Sequence, residues 1–154
     1  MLADKLRILI IEARRHPDLA DAMLNSARDA LHAAGAECDV VTAPDVFSIP
    51  GTLALAEQGG HRPAGVRYDG YVALGCLIRG ETLRFDVLSQ ETVRALMDLT
   101  IGRHLLIGDG LVTVDTEAQA WDRVNGARGD RGGDAARNCL AMIALKRRLL
   151  GHTR

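Results

Sequence analysis

The sequence lacks the features that would assign it at once to a membrane, disulfide-rich or nucleic-acid-binding class. Over 154 residues, no apolar run approaches the ~18–20 residues that a membrane-spanning helix needs. Cys38, Cys76 and Cys139 are odd in number, widely spaced and without a CxxC pair, which indicates buried, reduced thiols in a cytoplasmic protein. The net charge of −1 leaves no excess of Lys and Arg to neutralise phosphates, so we expect no nucleic acid as a partner.

The first residues carry no export signal. The stretch MLADKLRILIIEARR has only a short apolar core and no small-residue cleavage site, so it predicts a first strand. The composition, 47% apolar and 25% charged, is ordinary for a globular protein. We therefore expect one domain, spanning residues 1–154, with its own buried core.

Short apolar runs alternate along the chain with segments of helical periodicity. Strands are predicted at residues 7–12, 37–43, 68–75 and 104–114. Helices are predicted near residues 17–34, 52–58, 86–100, 115–124 and 134–150. This alternation favours a three-layer α/β/α domain with a four-stranded parallel sheet. Ligands of such sheets bind at the carboxyl ends of the strands, where this chain reads EARRHP, PDVFSIP, GCLIRGETLRFD and GDGLVTVD.

The segment GCLIRGETLRFD resembles the G-x-[VL]-I-R-G-E-T-x-H-[FY]-[DE] segment of the 6,7-dimethyl-8-ribityllumazine synthase family. Four further segments resemble that family in order and spacing: IIEARRHPDLADAML, VTAPDVFSIPGTLALA, GDGLVTVDTEAQAWDR and GDRGGDAARNCLAMIALKRRL. The resemblance implies the flavodoxin-like lumazine synthase fold. It also implies condensation of 5-amino-6-ribitylaminouracil with 3,4-dihydroxy-2-butanone 4-phosphate, a step of riboflavin biosynthesis that uses no cofactor or metal.

The resemblance implies a phosphate-binding set that this chain retains. Arg123 matches the family's phosphate-binding arginine. Gly80, Glu81 and Thr82 form a turn whose backbone N–H groups and hydroxyl suit an anion. Arg131 stands where the family usually has a lysine, so the positive charge is kept.

The positions that the resemblance assigns to the pyrimidine and to proton transfer depart from the family pattern. Arg15 replaces a ring-stacking aromatic residue, Ser48 replaces a glutamate, and Asp109 replaces an aromatic residue or asparagine. Arg84 takes the place of the catalytic histidine, and a guanidinium cannot transfer protons near neutral pH because its pKa lies above ~12. The other substrate-binding positions are Val46, Phe47, Cys76, Leu77 and Ile78.

These departures leave three readings open: a working synthase, a paralogue that keeps the phosphate site but binds another ligand, and a purely structural shell-forming homologue. His16 could replace the missing proton carrier, although an exposed turn histidine is the more common role for such a residue. The other histidines show no metal-ligand spacing. We rank the synthase first because the resemblance is long and the phosphate set is intact.

The resemblance also implies pockets shared between the subunits of a pentamer, with one wall supplied by the neighbour's Gly108, Asp109 and Gly110. High apolar content with only 3% aromatic residues favours burial of some surface between subunits. We therefore expect a closed homopentamer in preference to a decamer or a sixty-subunit shell. Residues 1–6 are shorter than the arm of many relatives, so we expect a smaller interface there.

Overall fold

Four parallel strands form a single sheet in the order β2-β1-β3-β4 in a computed structural model that describes residues 5–125 and 129–151. The strands are β1 (Arg7–Glu12), β2 (Glu37–Thr42), β3 (Gly70–Ile78) and β4 (Ile107–Val114). The helices are α1 (Pro17–Ala33), α2 (Ile49–Gly60), α3 (Phe85–Gly102), α4 (Glu117–Asn125) and α5 (Arg131–Leu150). The predicted α/β class, parallel sheet and flavodoxin-like strand order are confirmed. Residues 1–4 of the amino-terminal arm and His152 lie outside the described residues.

The strands alternate their side chains between two apolar clusters, which places helices on both faces. Ile8 and Ile10 belong to the cluster beneath α1, α4 and α5. Leu9 and Ile11 belong to the cluster beneath α2 and α3. Within the described part of the chain, none of the helices combines the length and apolar content that a membrane span requires. The three layers leave the carboxyl ends of the strands as one edge of the domain.

Several element boundaries differ from those predicted, and each difference has a local cause. α2 begins earlier because the Asp45 carboxylate accepts the backbone N–H of Ser48, 2.8 Å away, and a proline occupies the first turn. α5 also begins earlier because the Asp130 carboxylate accepts the N–H of Gly133 at 3.3 Å. β4 begins later because His104 adopts a left-handed conformation, with φ of 59°, between α3 and the strand.

Helix α5 packs against its neighbours through glycines that leave no space for a side chain. A Cβ on Gly108 of β4 would collide with the carbonyl oxygen of Ala135 in α5. A Cβ on Gly132 of α5 would collide with the carbonyl oxygen of Met23 in α1. Since these obstacles are backbone atoms, neither can move aside alone. The close approach of α5 therefore depends on glycine at both positions.

The Gly132→Ala variant should lose about 1–3 kcal/mol of unfolding free energy, because an overpacked core must shift its backbone to accept the methyl group. Urea denaturation monitored by circular dichroism measures this loss. Gly59→Ala is the matched control, since a Cβ at this helical position meets no atom within 4 Å. An equal loss in the two variants would contradict the packing argument.

Candidate active site

Two of the predicted segments meet where β1 and β3 end. The two strands are neighbours in the sheet, with Glu12 beside Leu74, so the loops that follow them start close together. Arg15 lies in the loop after β1, and Glu81 lies in the turn after β3. Side-chain contacts join the two loops, as the sheet topology leads one to expect.

The Glu81 carboxylate binds two side chains of the first loop. Arg15 donates from Nε to Oε2 at 3.2 Å and from Nη2 to the Glu81 carbonyl oxygen at 3.4 Å. His16 places Nε2 2.9 Å from Oε1, and its side chain is only 22% exposed. The guanidinium of Arg15 is therefore held against the turn instead of standing free as a stacking surface.

Arg79 fixes the turn that follows β3. Its guanidinium donates to Asp115 at 2.9 Å and to Asp86 at 3.1 Å, and it lies 4.6 Å from the ring centre of Phe85. Gly80 has a φ of +93°, a conformation that other residues adopt only under strain. These contacts tie the turn both to the start of α3 and to the end of β4.

The turn retains donors that an anion could use. The N–H of Glu81 bonds to the carbonyl oxygen of Ile78 at 3.3 Å, and the N–H of Arg84 bonds to the Thr82 hydroxyl oxygen at 3.2 Å. Within the described residues, the N–H groups of Gly80 and Thr82 donate no hydrogen bond. The Thr82 hydroxyl proton is also free to bind an acceptor.

Arg84 lies at the start of α3 with its side chain exposed to solvent. Among the described residues, its guanidinium forms neither a hydrogen bond nor an ion pair. It is therefore an uncompensated positive charge next to the turn. An arginine in this state can attract an anion, but it cannot carry a proton.

In the second predicted segment, Ser48 is paired with a neighbouring carboxylate. Asp45 accepts the Ser48 hydroxyl at 2.7 Å as well as its N–H. The Ser48 hydroxyl is thus engaged at the start of α2. Val46 is buried, and its methyl group would lie 2.9 Å from a Cβ on Gly75. Phe47 is 57% exposed, which makes it the apolar side chain of this segment that a ligand can contact.

The predicted wall at residues 76–78 lies inside β3 and offers mainly backbone. The side chains of Cys76 and Ile78 are 5% and 8% exposed and point into the cluster beneath α1 and α4. Leu77 points to the opposite face and is half-buried. Burial raises the pKa of the Cys76 thiol to about 11, so it stays protonated at neutral pH and is a poor nucleophile.

Asp109 and Arg131 form a second pair, which joins β4 to the start of α5. Arg131, at the start of α5, places Nη2 3.6 Å from the Asp109 carboxylate. Arg131 Nε is buried without a hydrogen-bond partner among the described residues, so its N–H remains a donor for a ligand oxygen. Asp109 lies within β4 beside Ala73, inside the strand predicted at residues 104–114 and not in a loop that follows it.

No contact joins the cations of the predicted phosphate set to its turn within the described residues. Arg123 occupies the last turn of α4 with its side chain exposed. Neither Arg123 nor Arg131 forms a hydrogen bond or ion pair with the turn at residues 80–82 in the described part of the molecule. Both cations and the turn N–H groups are donors, so each can bind an anion without contacting the other.

A cavity of about 660 Å³ lies at the opposite end of the sheet, where the strands begin. Helices α2, α3 and α5 end there, and each carboxyl end is equivalent to about half a negative charge. Glu57 lies there too, and its hydrogen bond from Arg103 lowers its pKa. Helix ends and carboxylates thus account for most of the basic lining, which comprises Lys5, Arg7, Arg67, Arg103, Lys146 and Arg147. This cavity is not the predicted site.

Sequence reasoning did not identify Arg79 as a positioning residue, nor did it pair Asp45 with Ser48. The partners of Arg79 lie 7 and 36 residues further along the chain, so no local pattern reveals them. The Asp45–Ser48 pair does have a local signal. Aspartate side chains commonly accept hydrogen bonds from backbone N–H groups a few residues further along in turns.

Comparisons with known proteins agree with the geometry. Residues 5–147 match the sequence model of a family described as 6,7-dimethyl-8-ribityllumazine synthase. A protein named 6,7-dimethyl-8-ribityllumazine synthase 1 from Rhizobium meliloti is 51% identical, with 94% of each chain covered. A synthase from Agrobacterium fabrum is 50% identical, and the match covers 96% of this chain and 99% of that protein. A synthase from Bartonella henselae is 48% identical, and the match covers 96% of this chain and 92% of that protein.

Proposed function

Because the chain belongs to the 6,7-dimethyl-8-ribityllumazine synthase family, we propose that it condenses 5-amino-6-ribitylaminouracil with 3,4-dihydroxy-2-butanone 4-phosphate. The product is 6,7-dimethyl-8-ribityllumazine, a precursor of riboflavin. The enzyme is a transferase that uses no cofactor or metal and works in the cytoplasm. The observation that carries the proposal is the turn at residues 80–82. Arg79 holds this turn in place, and its unpaired N–H groups beside Arg84 can donate hydrogen bonds to a phosphate.

The test is lumazine formation by the purified protein, followed through the absorbance and fluorescence of the product. Absence of product with both substrates at millimolar concentration would contradict the proposal. A binding titration with ribityl-pyrimidine analogues should accompany the assay, because it reports on the altered pyrimidine slot independently of turnover.

We assign the substrate-binding roles as follows. The turn donors at Gly80 and Thr82 bind the phosphate of the butanone, with Arg123 supplying charge. Phe47 and Leu77 supply the apolar contacts to the pyrimidine, together with the backbone around Val46, Cys76 and Ile78. Three residue pairs line the rest of the pyrimidine-binding pocket: Arg15 with Glu81, Ser48 with Asp45, and Asp109 with Arg131. Arg84 contributes positive charge in place of a proton.

The assembly that we propose is a cyclic homopentamer with each pocket between two subunits. Among the described residues of one chain no contact joins the phosphate turn to Arg123 or Arg131, and in the proposed assembly a neighbouring copy supplies these cations. Helix α3 also exposes an apolar stripe that a partner could cover, consisting of Val87, Val93, Met97 and Ile101.

The Arg123→Ala variant should bind a butanone-phosphate analogue more weakly by about 1.5–3 kcal/mol, the usual value of a charge-assisted contact. Isothermal titration calorimetry measures the difference. Arg28→Ala is the control, because Arg28 is an exposed arginine on α1 and has no proposed part in the site. An unchanged affinity in Arg123→Ala would remove Arg123 from the phosphate set.

A second candidate, a paralogue that binds another phosphorylated ligand, is favoured by one observation. Three of the four changed positions are paired within the chain, at Arg15 with Glu81, Ser48 with Asp45, and Asp109 with Arg131. Such pairing indicates that the changed side chains of the pyrimidine-binding pocket now bind each other and their neighbours, as a pocket for a different ligand would allow. Phosphate-analogue binding that depends on Arg123, in a protein that forms no lumazine, would select this candidate.

A further inference from the structure

The condensation needs a group that can both give and take a proton near neutral pH. Joining an amine to a ketone moves protons from nitrogen to oxygen and expels water, and a positioned side chain typically accelerates such steps by about 10²–10⁴-fold. Arg84 cannot serve, because guanidinium stays protonated. The carrier in this chain must therefore be a different residue.

The described residues offer few alternatives at the carboxyl end of the sheet. Imidazole is the side chain whose usual pKa, ~6.5, lies nearest neutrality. Three histidines lie at the opposite end: His32 in the last turn of α1, His61 at the end of α2, and His104 just before β4. Burial keeps the Cys76 thiol protonated. Among residues 5–125 and 129–151, His16 is the histidine at the carboxyl end.

We propose that His16, held by Glu81, transfers the protons that the family's missing histidine would carry. The proposal rests on the proposed condensation. Glu81 belongs to the phosphate turn, so the imidazole beside it is tied to the part of the site that binds the reacting ketone. The other Glu81 oxygen accepts a hydrogen bond from Arg15, which holds the carboxylate in place.

The contact with Glu81 also decides which ring nitrogen acts. His16 Nε2 is buried and faces the carboxylate, so this nitrogen carries a proton and Nδ1 is left for the substrate. The 2.9 Å approach is not aligned as a hydrogen bond. Such contacts in free enzymes are often poorly aligned and tighten when the substrate binds.

The proton steps balance without another reactant. The amine nitrogen attacks the carbonyl carbon, and a proton lost from nitrogen passes through Nδ1 to the oxygen, giving a carbinolamine. Nδ1 next takes the remaining N–H proton, which makes the ring an imidazolium. The imidazolium gives this proton to the hydroxyl group as the C–O bond breaks, so that water leaves and the imine forms. The ring begins and ends neutral, and the net change is amine plus ketone to imine plus water.

The experiment compares His16→Gln with His61→Gln in the lumazine assay. His61 is a matched control because it also contacts a glutamate, Glu57 at 3.4 Å, but lies at the other end of the sheet. We expect His16→Gln to lower kcat about 10²-fold or more with little change in KM, and His61→Gln to retain wild-type kcat. Added imidazole should restore part of the activity of His16→Ala, a recovery that a merely structural histidine would not give.

The pH profile provides a second readout. The charged groups around His16 are Glu81 on the turn, Arg15 on its own loop and Asp18 in the first turn of α1. If His16 transfers the protons, His16→Gln should abolish the histidine limb of the kcat profile, whereas His61→Gln should leave that limb in place.

The possible results separate the two claims. A wild-type protein without activity would overturn the proposed condensation and this proposal with it. An active wild type whose kcat survives His16→Gln within twofold would overturn the role of His16 alone. If His16→Gln does not fold, the test is whether added imidazole restores activity to a folded His16→Ala variant. The absence of any recovery would count against proton transfer by His16.

Discussion

The Arg84→His variant should form lumazine about tenfold faster than the wild-type protein, because it places a titratable ring where the chain has a permanently charged guanidinium. Arg84 is well suited to this exchange. Its side chain is exposed and, among the described residues, unpaired, so its loss breaks no hydrogen bond or ion pair. Steady-state kinetics at neutral pH measure the change, together with the pH profile, which should gain a second histidine limb beside that of His16.

Arg84→Gln separates the two effects of this substitution, since it removes the charge without adding a proton carrier. We expect no gain of rate in this control. The effect of Arg84→His should be larger in the His16→Gln background, where about 10²-fold of lost activity is available to recover. Equal rates in wild type and Arg84→His would mean that proton transfer at this position does not limit turnover.

The Met97→Glu variant should dissociate the proposed pentamer and abolish most lumazine formation. Met97 is 56% exposed on α3, within the stripe that also contains Val93 and Ile101. A carboxylate buried there without a partner costs several kcal/mol per interface, and a cyclic assembly repeats that cost at every interface. Light scattering at micromolar concentration measures the mass, and the assay measures the loss of shared pockets.

Leu149→Glu is the matched control for this variant. Leu149 is 71% exposed on α5, outside the stripe, so the same change of side chain there should leave the assembly intact. A wild-type protein with the mass of one chain would refute the pentamer directly. It would also remove the neighbour that brings Arg123 and Arg131 to the phosphate turn.

The fold could be predicted because its signals are local and repeated. Alternation of apolar runs with helical periodicity located all four strands and all five helices, since burial on two faces leaves a clear pattern in the sequence. The errors fell at boundaries, where a single capping side chain such as Asp130 or a single strained residue such as His104 sets the limit.

The site could be predicted only as a set of positions. The resemblance gave Arg15 and Glu81 separate roles, in the pyrimidine slot and the phosphate turn, whereas the structure binds the two residues together across 66 positions. Arg131 and Asp109 were also assigned separately and lie 3.6 Å apart. Such pairs depend on strand register and turn geometry, which neither a motif nor a periodicity specifies.

The pair formed by Asp45 and Ser48 makes the two positions depend on each other. Ser48→Glu alone would set a second carboxylate beside Asp45 and remove the hydroxyl whose hydrogen bond Asp45 now accepts. Asp45→Gly alone would remove the acceptor of both the Ser48 N–H and its hydroxyl. The two substitutions should therefore be epistatic, so that their effects on the free energy of unfolding do not add.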